Sequence, residues 1–391
     1  MRKLFQTKYI TMLLFLGLLA VMFCQGISPF WEGLVNAVND RQNTGVMDFS
    51  AVEGTYNSQF EGKDFFITLN GAYQRLMGAR VLNERYKLDN GHLTYLVPET
   101  DVENIARNTV AFRDALARLE IPMVYVSPPS KLHPTDKQLP VNAYDYSNEN
   151  TDRFLAHLKN EDVAVLDLRE SIADDGLDHY DLFYKTDHHW KAEAGLWAAG
   201  EISDYLAGLE EGYRADKMLL DPSGYTFEVH ENIFLGSAGR RVGSMYAGLD
   251  DFSVITPSFE TDFSFSAEAG EIIRSGSFAD VFIVRELLRS EDLLLSNTYA
   301  TYCGGGFSQM EIHNHSQVCS PKKILLIRDS FSDVLIPFLS MGYARLDVLD
   351  LRYYHEDLMD YVEKLAPDMV LVVYNPGAYE EKNSNMFDFL K

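Results

Sequence analysis

The chain has 391 residues, 46% of them hydrophobic, and is therefore long enough to bury a large core in one elaborated domain or two ordinary ones. Its 58 acidic residues exceed its 34 basic residues, which gives a formal net charge of −24. This excess argues against a nucleic acid or an anionic membrane surface as a partner, because both are bound by clustered Lys and Arg. A neutral or locally steered ligand agrees better with the charge.

The first 27 residues have the pattern of a signal anchor or a signal peptide. Arg2, Lys3 and Lys8 precede an uncharged apolar run over 10–23, in the order typical of an export signal. Extended to Ile27, the run reaches the roughly 18 residues with which a helix just spans a bilayer. No pattern of small residues marks a cleavage site, so we favour an uncleaved anchor over a cleaved signal. The basic end then stays inside, and the rest of the chain lies outside the cytoplasmic membrane.

Residues 28–60 are rich in Gly, Asn, Asp and Gln and predict a linker. Downstream, DFFITL and HLTYLV are typical of strands, and apolar residues at spacings of three and four predict a helix from Val102. Helices then alternate with continuous apolar strands of the kind that is buried on both faces of a parallel sheet. These segments are IPMVYV, NTDRFLAHLKN, VAVLDL, AEAGLWAAGEISDYLAGL, KILLIR, DVLIPFL, RLDVLDL, EDLMDYVEKLA and MVLVVY. We therefore expect an α/β domain over 61–391.

The alternation is lost between about 210 and 318. Short β-like runs such as FSVITPSF and GSFADVFIV are separated there by Gly, Ser and Asp. The pattern predicts a β-rich insertion and not a continuation of the sheet. Cys303 lies in this region and Cys319 directly follows it. In an exported protein such a pair can form a disulfide, but the spacing leaves two unpaired thiols equally open.

Several reactive side chains follow predicted strands. Ser330 comes after KILLIRD, Arg352 after RLDVLDL, Asn375 after MVLVVY and Lys131 after IPMVYV. In an open α/β sheet, the loops after the carboxyl ends of the strands meet at one edge and carry the reactive groups. We expect Ser330 to be a nucleophile at this edge and Lys131 to be a ligand-binding candidate. The simpler alternatives are a helix cap at Ser330 and an ordinary turn at Asn375.

The segment Asp187-His188-His189-Trp190 supplies the groups that such a serine needs. His189 can accept the serine proton, and Asp187 can orient the imidazole and stabilise its cationic form. In an extended segment His188 would point the other way, so we expect it to shape the loop. A metal site is the alternative, but Asp187 and one histidine supply only two ligands, so we predict no metal.

Taken together, these segments resemble a known family. The segments most specific to that family are YKTDHHWKAEAG and KKILLIRDSFSDVLIPFLS. The supporting segments are SPPSKLHP, VLDLRE, FLGSAGRRVGSMYAGLDDF, LDLRYY and PDMVLVVYN. The chain resembles the DHHW family, which is similar to the AlgX/AlgJ-like sugar O-acetyltransferases of the SGNH hydrolase superfamily. The resemblance covers most of the chain from about residue 60 onward.

The resemblance implies an SGNH-hydrolase-like fold, a flavodoxin-like parallel sheet flanked by helices. It implies a catalytic triad of Asp187, His189 and Ser330, with Arg352 near the family's second conserved block. Asn375 stands in the third block, which contributes to the oxyanion site in the family.

Three departures from the family pattern are clear. Arg328 replaces the glycine that usually precedes Asp-Ser, and the third block reads Tyr-Asn-Pro-Gly instead of Gly-x-Asn-Asp. A tyrosine that the alginate enzymes carry shortly after the nucleophile also has no counterpart in FSDVLIPF. The identity of the glycan therefore does not carry over from the family.

The expected function is an extracytoplasmic, membrane-anchored O-acetyltransferase that acts on a cell-surface or secreted polysaccharide. The resemblance implies a membrane-bound O-acyltransferase as acetyl donor, and the chemistry needs no cofactor. A polysaccharide acetyl esterase would use the same triad, because water and a sugar hydroxyl attack the same acyl-enzyme. A non-catalytic glycan-binding or assembly subunit, with the β-rich region as its recognition surface, is the third alternative.

Overall fold

The computed structural model describes residues 2–44, 50–59, 63–135, 137–288 and 293–390. The chain forms two compact units, Met1–Met77 and Gly78–Lys391. The second unit carries every candidate site residue named above.

The first unit is helical. It contains α1 (Arg2–Thr44), α2 (Ser50–Gln59) and α3 (Lys63–Leu76). Within α1, the stretch Phe15–Asn39 is long and apolar enough to cross a membrane. Helices α1 and α2 pack closely at Gly33, where an added Cβ would lie 2.7 Å from the Cα of Val52.

Two predictions for this region were wrong. The described parts of the expected linker over 28–60 are helical, because α1 continues to Thr44 and α2 follows it. The run DFFITL lies in α3 and not in a strand. A short apolar run fits either type of element, and here the apolar residues Phe65, Leu69 and Tyr73 recur at the helical spacing of four.

The second unit begins with three short antiparallel strands, β1 (Val81–Leu82), β2 (Arg85–Lys87) and β3 (Leu93–Thr94). The predicted strand HLTYLV is thus reduced to two residues. Helices and strands then alternate as predicted, in the order α4 (Glu103–Arg118), β4 (Met123–Ser127), α5 (Ser147–Asn160), β5 (Ala164–Asp167), α6 (Leu168–Asp174) and α7 (Ala192–Leu209).

The middle of the unit is rich in strands, as expected. Its elements are β6 (Tyr225–Phe234), α8 (Ser237–Val242), α9 (Ser244–Ala247), β7 (Asp250–Pro257), β8 (Phe263–Ala267), β9 (Ile272–Gly276), α10 (Phe278–Phe282) and β10 (Gln309–Asn314). The alternation resumes with β11 (Ser320–Arg328), α11 (Ile336–Gly342), β12 (Tyr343–Leu349), α12 (Leu358–Leu365) and β13 (Met369–Val373).

Eight strands form the main sheet, in the order β5-β4-β13-β11-β12-β10-β8-β9. The first five are parallel, and β10, β8 and β9 extend the sheet with antiparallel pairings. The β-rich region is therefore partly a continuation of the sheet, contrary to the prediction, while β6 and β7 pair separately. Short antiparallel strands need no helical crossovers, which is why the region lacked the α/β alternation in the sequence.

Both faces of the parallel sheet are buried, as its continuous apolar strands predicted. On β13, Val370 and Val372 pack in one core cluster with α4, α5 and α12. Leu371 and Val373 pack on the other face in the cluster that includes α7 and α11. The α/β fold is thus confirmed, and the carboxyl ends of β4, β13 and β11 lie side by side, since Val373 is in register with both Val126 and Arg328.

Candidate active site

Ser330 lies two residues beyond β11, at the first position of a short 3-10 turn over Ser330–Asp333. The residue that caps this turn is Asp329, whose carboxylate accepts a hydrogen bond of 2.9 Å from the N–H of Phe331. Ser330 is therefore not needed as a cap, and its hydroxyl is available to another partner. The side chain is partly exposed, so a small molecule can reach it.

The DHHW segment forms a bent loop that is anchored at both ends. An isolated antiparallel bridge joins Phe183 to Trp190 and closes the loop. The buried indole of Trp190 donates a 2.7 Å hydrogen bond from Nε1 to the carbonyl of Phe331. This bond ties the histidine loop directly to the turn that carries Ser330.

The three triad side chains lie within hydrogen-bond distance in the expected order. His189 Nε2 is 2.8 Å from Ser330 Oγ, and His189 Nδ1 is 2.6 Å from Asp187 Oδ1. The N–H of His189 also donates to Asp187 Oδ1 at 2.9 Å. On the face of the imidazole, the ring of Tyr299 stacks at 4.2 Å and 16°. The histidine ring is thus held by a carboxylate in its plane and by an aromatic ring above it.

The protonation states agree with a neutral base beside an ionised carboxylate. Burial is the main reason why the pKa of His189 falls to about 4; the neighbouring His188 also lowers it, while Asp187 opposes both. Burial would raise the pKa of Asp187, but the two histidines outweigh it and keep that pKa well below its usual value. At neutral pH the imidazole can therefore accept a proton from Ser330.

A second layer of residues holds Asp187 in place. The N–H of Ser237 donates to Asp187 Oδ2, and the backbone of Gly236 lies so close that an added Cβ would be 2.5 Å from the same oxygen. Asp250 accepts hydrogen bonds from the N–H and hydroxyl of Thr186, at 2.7 and 2.6 Å. These residues belong to the segment FLGSAGRRVGSMYAGLDDF and the DHHW loop, so the family resemblance contained them without assigning them a role.

Lys131 is buried under the histidine loop. Its ammonium donates to the carbonyl oxygens of Leu93 (2.6 Å), Tyr184 (2.7 Å), Lys185 (3.2 Å) and Asp187. Burial lowers the pKa of Lys131 to about 7, while the carboxylates of Asp250 and Asp187 favour its charged form. The structure thus directs the ammonium to backbone carbonyls and leaves it no free proton for a ligand.

The prediction that His188 points away from His189 was wrong, because the loop is bent and not extended. The rings of His188 and His189 lie 3.8 Å apart, and both Nδ1 atoms approach Asp187 Oδ1, at 3.2 and 2.6 Å. With Asp187, the two histidines offer three atoms within 4.8 Å of one another, a set that could bind a metal ion. Both nitrogens of His189 are, however, already committed to Asp187 and Ser330.

The remaining strand-end residues face carboxylates. Asn375 donates to Asp329 Oδ2 from its N–H (2.7 Å) and its Nδ2 (2.6 Å). Arg352 forms a two-pronged ion pair with Asp350, with distances of 2.9 and 2.6 Å. Asn375 therefore lies beside the turn that carries Ser330, whereas the guanidinium of Arg352 is held by its own loop.

Arg328, the residue in place of the family glycine, is fully buried. Its Nη1 lies 2.8 Å from the carboxylate of Asp333 and 3.4 Å from that of Asp350. A buried arginine needs such partners, so the departure from the family pattern is compensated within the same edge of the sheet.

The two candidate cysteines do not form a disulfide. Cys303 and Cys319 are both free thiols. Cys303 is buried with its Sγ 3.8 Å from the carbonyl of Asp333, while Cys319 contacts the carbonyl of Ser316 at 3.1 Å. Each thiol thus has its own local environment.

Comparison with known proteins identifies the family of the domain. Residues 92–220 match the family model described as "SGNH hydrolase-like domain, acetyltransferase AlgX". This chain carries an SGNH hydrolase-like domain. The matched residues include the DHHW loop and Lys131, so the resemblance expected from the sequence is confirmed.

Solved structures share the fold over most of the chain. PatB1 from Bacillus cereus is similar with a TM-score of 0.63 and 21% identity, over 77% of this chain and 98% of that one. A second PatB1 structure, with a sulfonyl adduct, has a TM-score of 0.61 and 21% identity, over 78% and 99%. A DHHW family protein from Eubacterium siraeum has a TM-score of 0.59 and 17% identity, over 78% and 95%. A search of curated protein sequences gave no match.

Proposed function

We propose that this chain is an O-acetyltransferase that modifies hydroxyl groups of a cell-surface or secreted polysaccharide through Ser330. The observation that carries the proposal is the continuous chain of hydrogen bonds from Asp187 through His189 to Ser330, with distances of 2.6 and 2.8 Å. The match to a family model whose description names an acetyltransferase supports the choice of reaction. The sulfonyl adduct of PatB1 supports it too, since sulfonyl reagents modify activated nucleophiles.

The reaction takes place in two halves. In the first, His189 accepts the proton of Ser330 while Oγ attacks the carbonyl carbon of an acetyl ester, and the departing alcohol takes that proton. In the second, an acceptor hydroxyl gives its proton to His189 and its oxygen attacks the acetyl-serine. The bond from the carbonyl carbon to Oγ then breaks, and His189 returns the proton to Ser330. The products are the acetylated acceptor and the free enzyme.

The negative charge that develops on the carbonyl oxygen needs donors near Ser330. The N–H of Ser330 is at the first position of its turn, where a helical donor has no partner within the turn. The Nδ2 group of Asn375 carries two hydrogens, of which the bond to Asp329 uses one. We assign the oxyanion role to these two groups, and a positioning role to Lys131, which acts through the backbone of the histidine loop.

The proposal extends to place and partners. The apolar stretch within α1 suits an anchor that keeps the catalytic unit on the extracytoplasmic face of the membrane. A membrane-bound O-acyltransferase is proposed as the acetyl donor, and a polysaccharide as the acceptor. Neither proposal requires a cofactor, because each half of the reaction exchanges one ester bond for another, moves one proton through His189 and changes no oxidation state.

An acetyl esterase is the second candidate function, since Ser330 is partly exposed and water can reach the acyl-enzyme. The deciding experiment incubates the full chain in detergent with an aryl acetate, with and without oligosaccharide acceptors. We expect release of the phenol, formation of acetylated oligosaccharide, and inactivation by a sulfonyl fluoride. Release of the phenol without any acetylated oligosaccharide would favour the esterase.

The matched controls are two serines of the same turn. Ser330→Ala should abolish both activities. Ser332→Ala should retain them, because the buried hydroxyl of Ser332 has no hydrogen-bond partner among the described residues. Equal loss in both variants would contradict the role of Ser330, since it would indicate damage to the turn and not removal of the nucleophile.

A further inference from the structure

A narrow cavity opens beside the triad, at the ends of β4 and β13. Its walls include Tyr95, His188, Phe331, Asn375 and Gly377. The side chain of His189 is 11% exposed, whereas that of His188 is 29% exposed. The reaction described above uses Asn375 from this group and assigns no role to His188 or Tyr95.

His188 has one ring nitrogen held and one free. Its Nδ1 lies 2.8 Å from Ser237 Oγ and 3.2 Å from the carboxylate of Asp187. Its Nε2 has no hydrogen-bond partner among the described residues. Because the ionised carboxylate of Asp187 and the hydroxyl of Ser237 lie at Nδ1, Nε2 is the ring nitrogen left for a ligand. A hydroxyl suits this nitrogen, since it can either donate or accept a hydrogen bond.

Tyr95 supplies the complementary donor. Its ring lies against that of His188, with centroids 6.0 Å apart, and the guanidinium of Arg85 lies 5.9 Å from its centroid. The phenol makes no hydrogen bond to any residue that the structure describes, and burial raises its pKa, so the hydroxyl stays protonated. At Gly377, an added Cβ would be only 2.8 Å from this oxygen, which shows how closely the backbone approaches it.

The charges around the cavity favour an uncharged ligand, because the ammonium of Lys131, which also lines it, is already held by backbone carbonyls. The carboxylate of Asp145 faces the same space, with its oxygens held by the N–H groups of Val97 (2.7 Å) and Ser147 (3.0 Å). Buried Asp329 lies behind Asn375. An anionic group would meet both carboxylates, whereas a hydroxyl can donate to His188 and accept from Tyr95.

We propose that His188 and Tyr95 hold a second hydroxyl of the acceptor, adjacent to the one that is acetylated. This inference rests on the proposed function. The rings of His188 and His189 lie 3.8 Å apart at an angle of 37°, so their Nε2 atoms can face neighbouring oxygens of one sugar ring. Adjacent ring hydroxyls are separated by roughly a hydrogen-bond length. The acceptor class is thus a vicinal diol, with the attacking hydroxyl on His189 and its neighbour on His188 and Tyr95.

The test uses acceptors that differ by one hydroxyl. The full chain is incubated with an aryl acetate and either cyclohexanol, cis-1,2-cyclohexanediol or trans-1,2-cyclohexanediol, and the acetylated products are measured. We expect the wild type to prefer at least one diol over cyclohexanol about tenfold, which is the effect of one hydrogen bond of ordinary strength. Tyr95→Phe and His188→Asn should reduce that ratio towards one.

Two further comparisons separate the outcomes. Tyr205→Phe, at a half-buried tyrosine on α7, should keep the wild-type ratio. Tyr95→Phe does not touch Asp187, so it tests the idea even if His188→Asn disturbs the triad. A wild-type ratio in both site variants, or no diol preference in an active wild type, overturns the inference. Absence of Ser330-dependent phenol release overturns the proposed function, and this inference with it.

Discussion

The buried Lys131 gives the sharpest test of how the histidine loop is held. In Lys131→Met the ammonium is replaced by an apolar group of similar length, and four carbonyl oxygens lose a donor. The carbonyl of Lys185 keeps a 2.8 Å bond from the N–H of Leu93, so three carbonyls bear the loss. An unsatisfied buried carbonyl costs about 1 kcal/mol at the lower end of the usual range, so the three together should lower the free energy of unfolding by about 3 kcal/mol.

Two measurements follow from this loss. The melting temperature should fall by about 5 °C, from the usual relation for domains of this size. Because two of these carbonyls, those of Tyr184 and Asp187, belong to the loop that carries Asp187 and His189, kcat for an aryl acetate should fall by about a hundredfold, as expected for a small misplacement of catalytic groups. The acceptor KM should change less than kcat.

Lys185→Met is the matched control, since Lys185 is an exposed lysine of the same loop. It should retain the wild-type melting temperature and kcat. If Lys131→Met keeps wild-type stability and shows only a raised KM, Lys131 contacts the ligand and does not hold the loop.

Three further predictions concern the same site. The rate of acylation should stay constant as pH falls from 7 and then decline around the His189 pKa of about 4, because only the neutral imidazole accepts a proton. A midpoint near the ordinary histidine pKa would contradict the effect of burial on His189. Gly236→Ala should lower kcat by about a hundredfold by displacing Asp187, whereas Gly200→Ala, with open space around its Cβ, should retain full activity. Alkylation of the denatured, unreduced protein should label both Cys303 and Cys319, and a disulfide-linked peptide would refute the free thiols.

The site residues that the sequence predicted best are reactive side chains that directly follow strands. Ser330 and Asn375 follow buried parallel strands, and the rule that such ends share one edge is enough to bring them together. The pairing of Asp187 with His189 is local and needs only a spacing of two residues. These inferences depend on backbone geometry that repeats in every α/β sheet.

The supporting residues could not be predicted in the same way. The contacts of Ser237 and Asp250 with the histidine loop join segments about 50 to 65 residues apart, and no periodicity encodes them. The error at His188 came from assuming an extended loop, whereas bends bring both imidazoles to one carboxylate. The burial of Lys131 was also hidden, because a lysine after a strand is exposed in most proteins.

Trapping the acetyl-enzyme tests directly whether Ser330 is the nucleophile. The full chain is mixed with an aryl acetate, quenched in acid and digested, and the peptides are examined by mass spectrometry. We expect one acetyl group on Ser330 of the wild type, its loss on addition of acceptor, and its absence from Ser330→Ala. Turnover that persists in Ser330→Ala, or an acetyl group that accumulates on another residue and is passed to the acceptor, would contradict it.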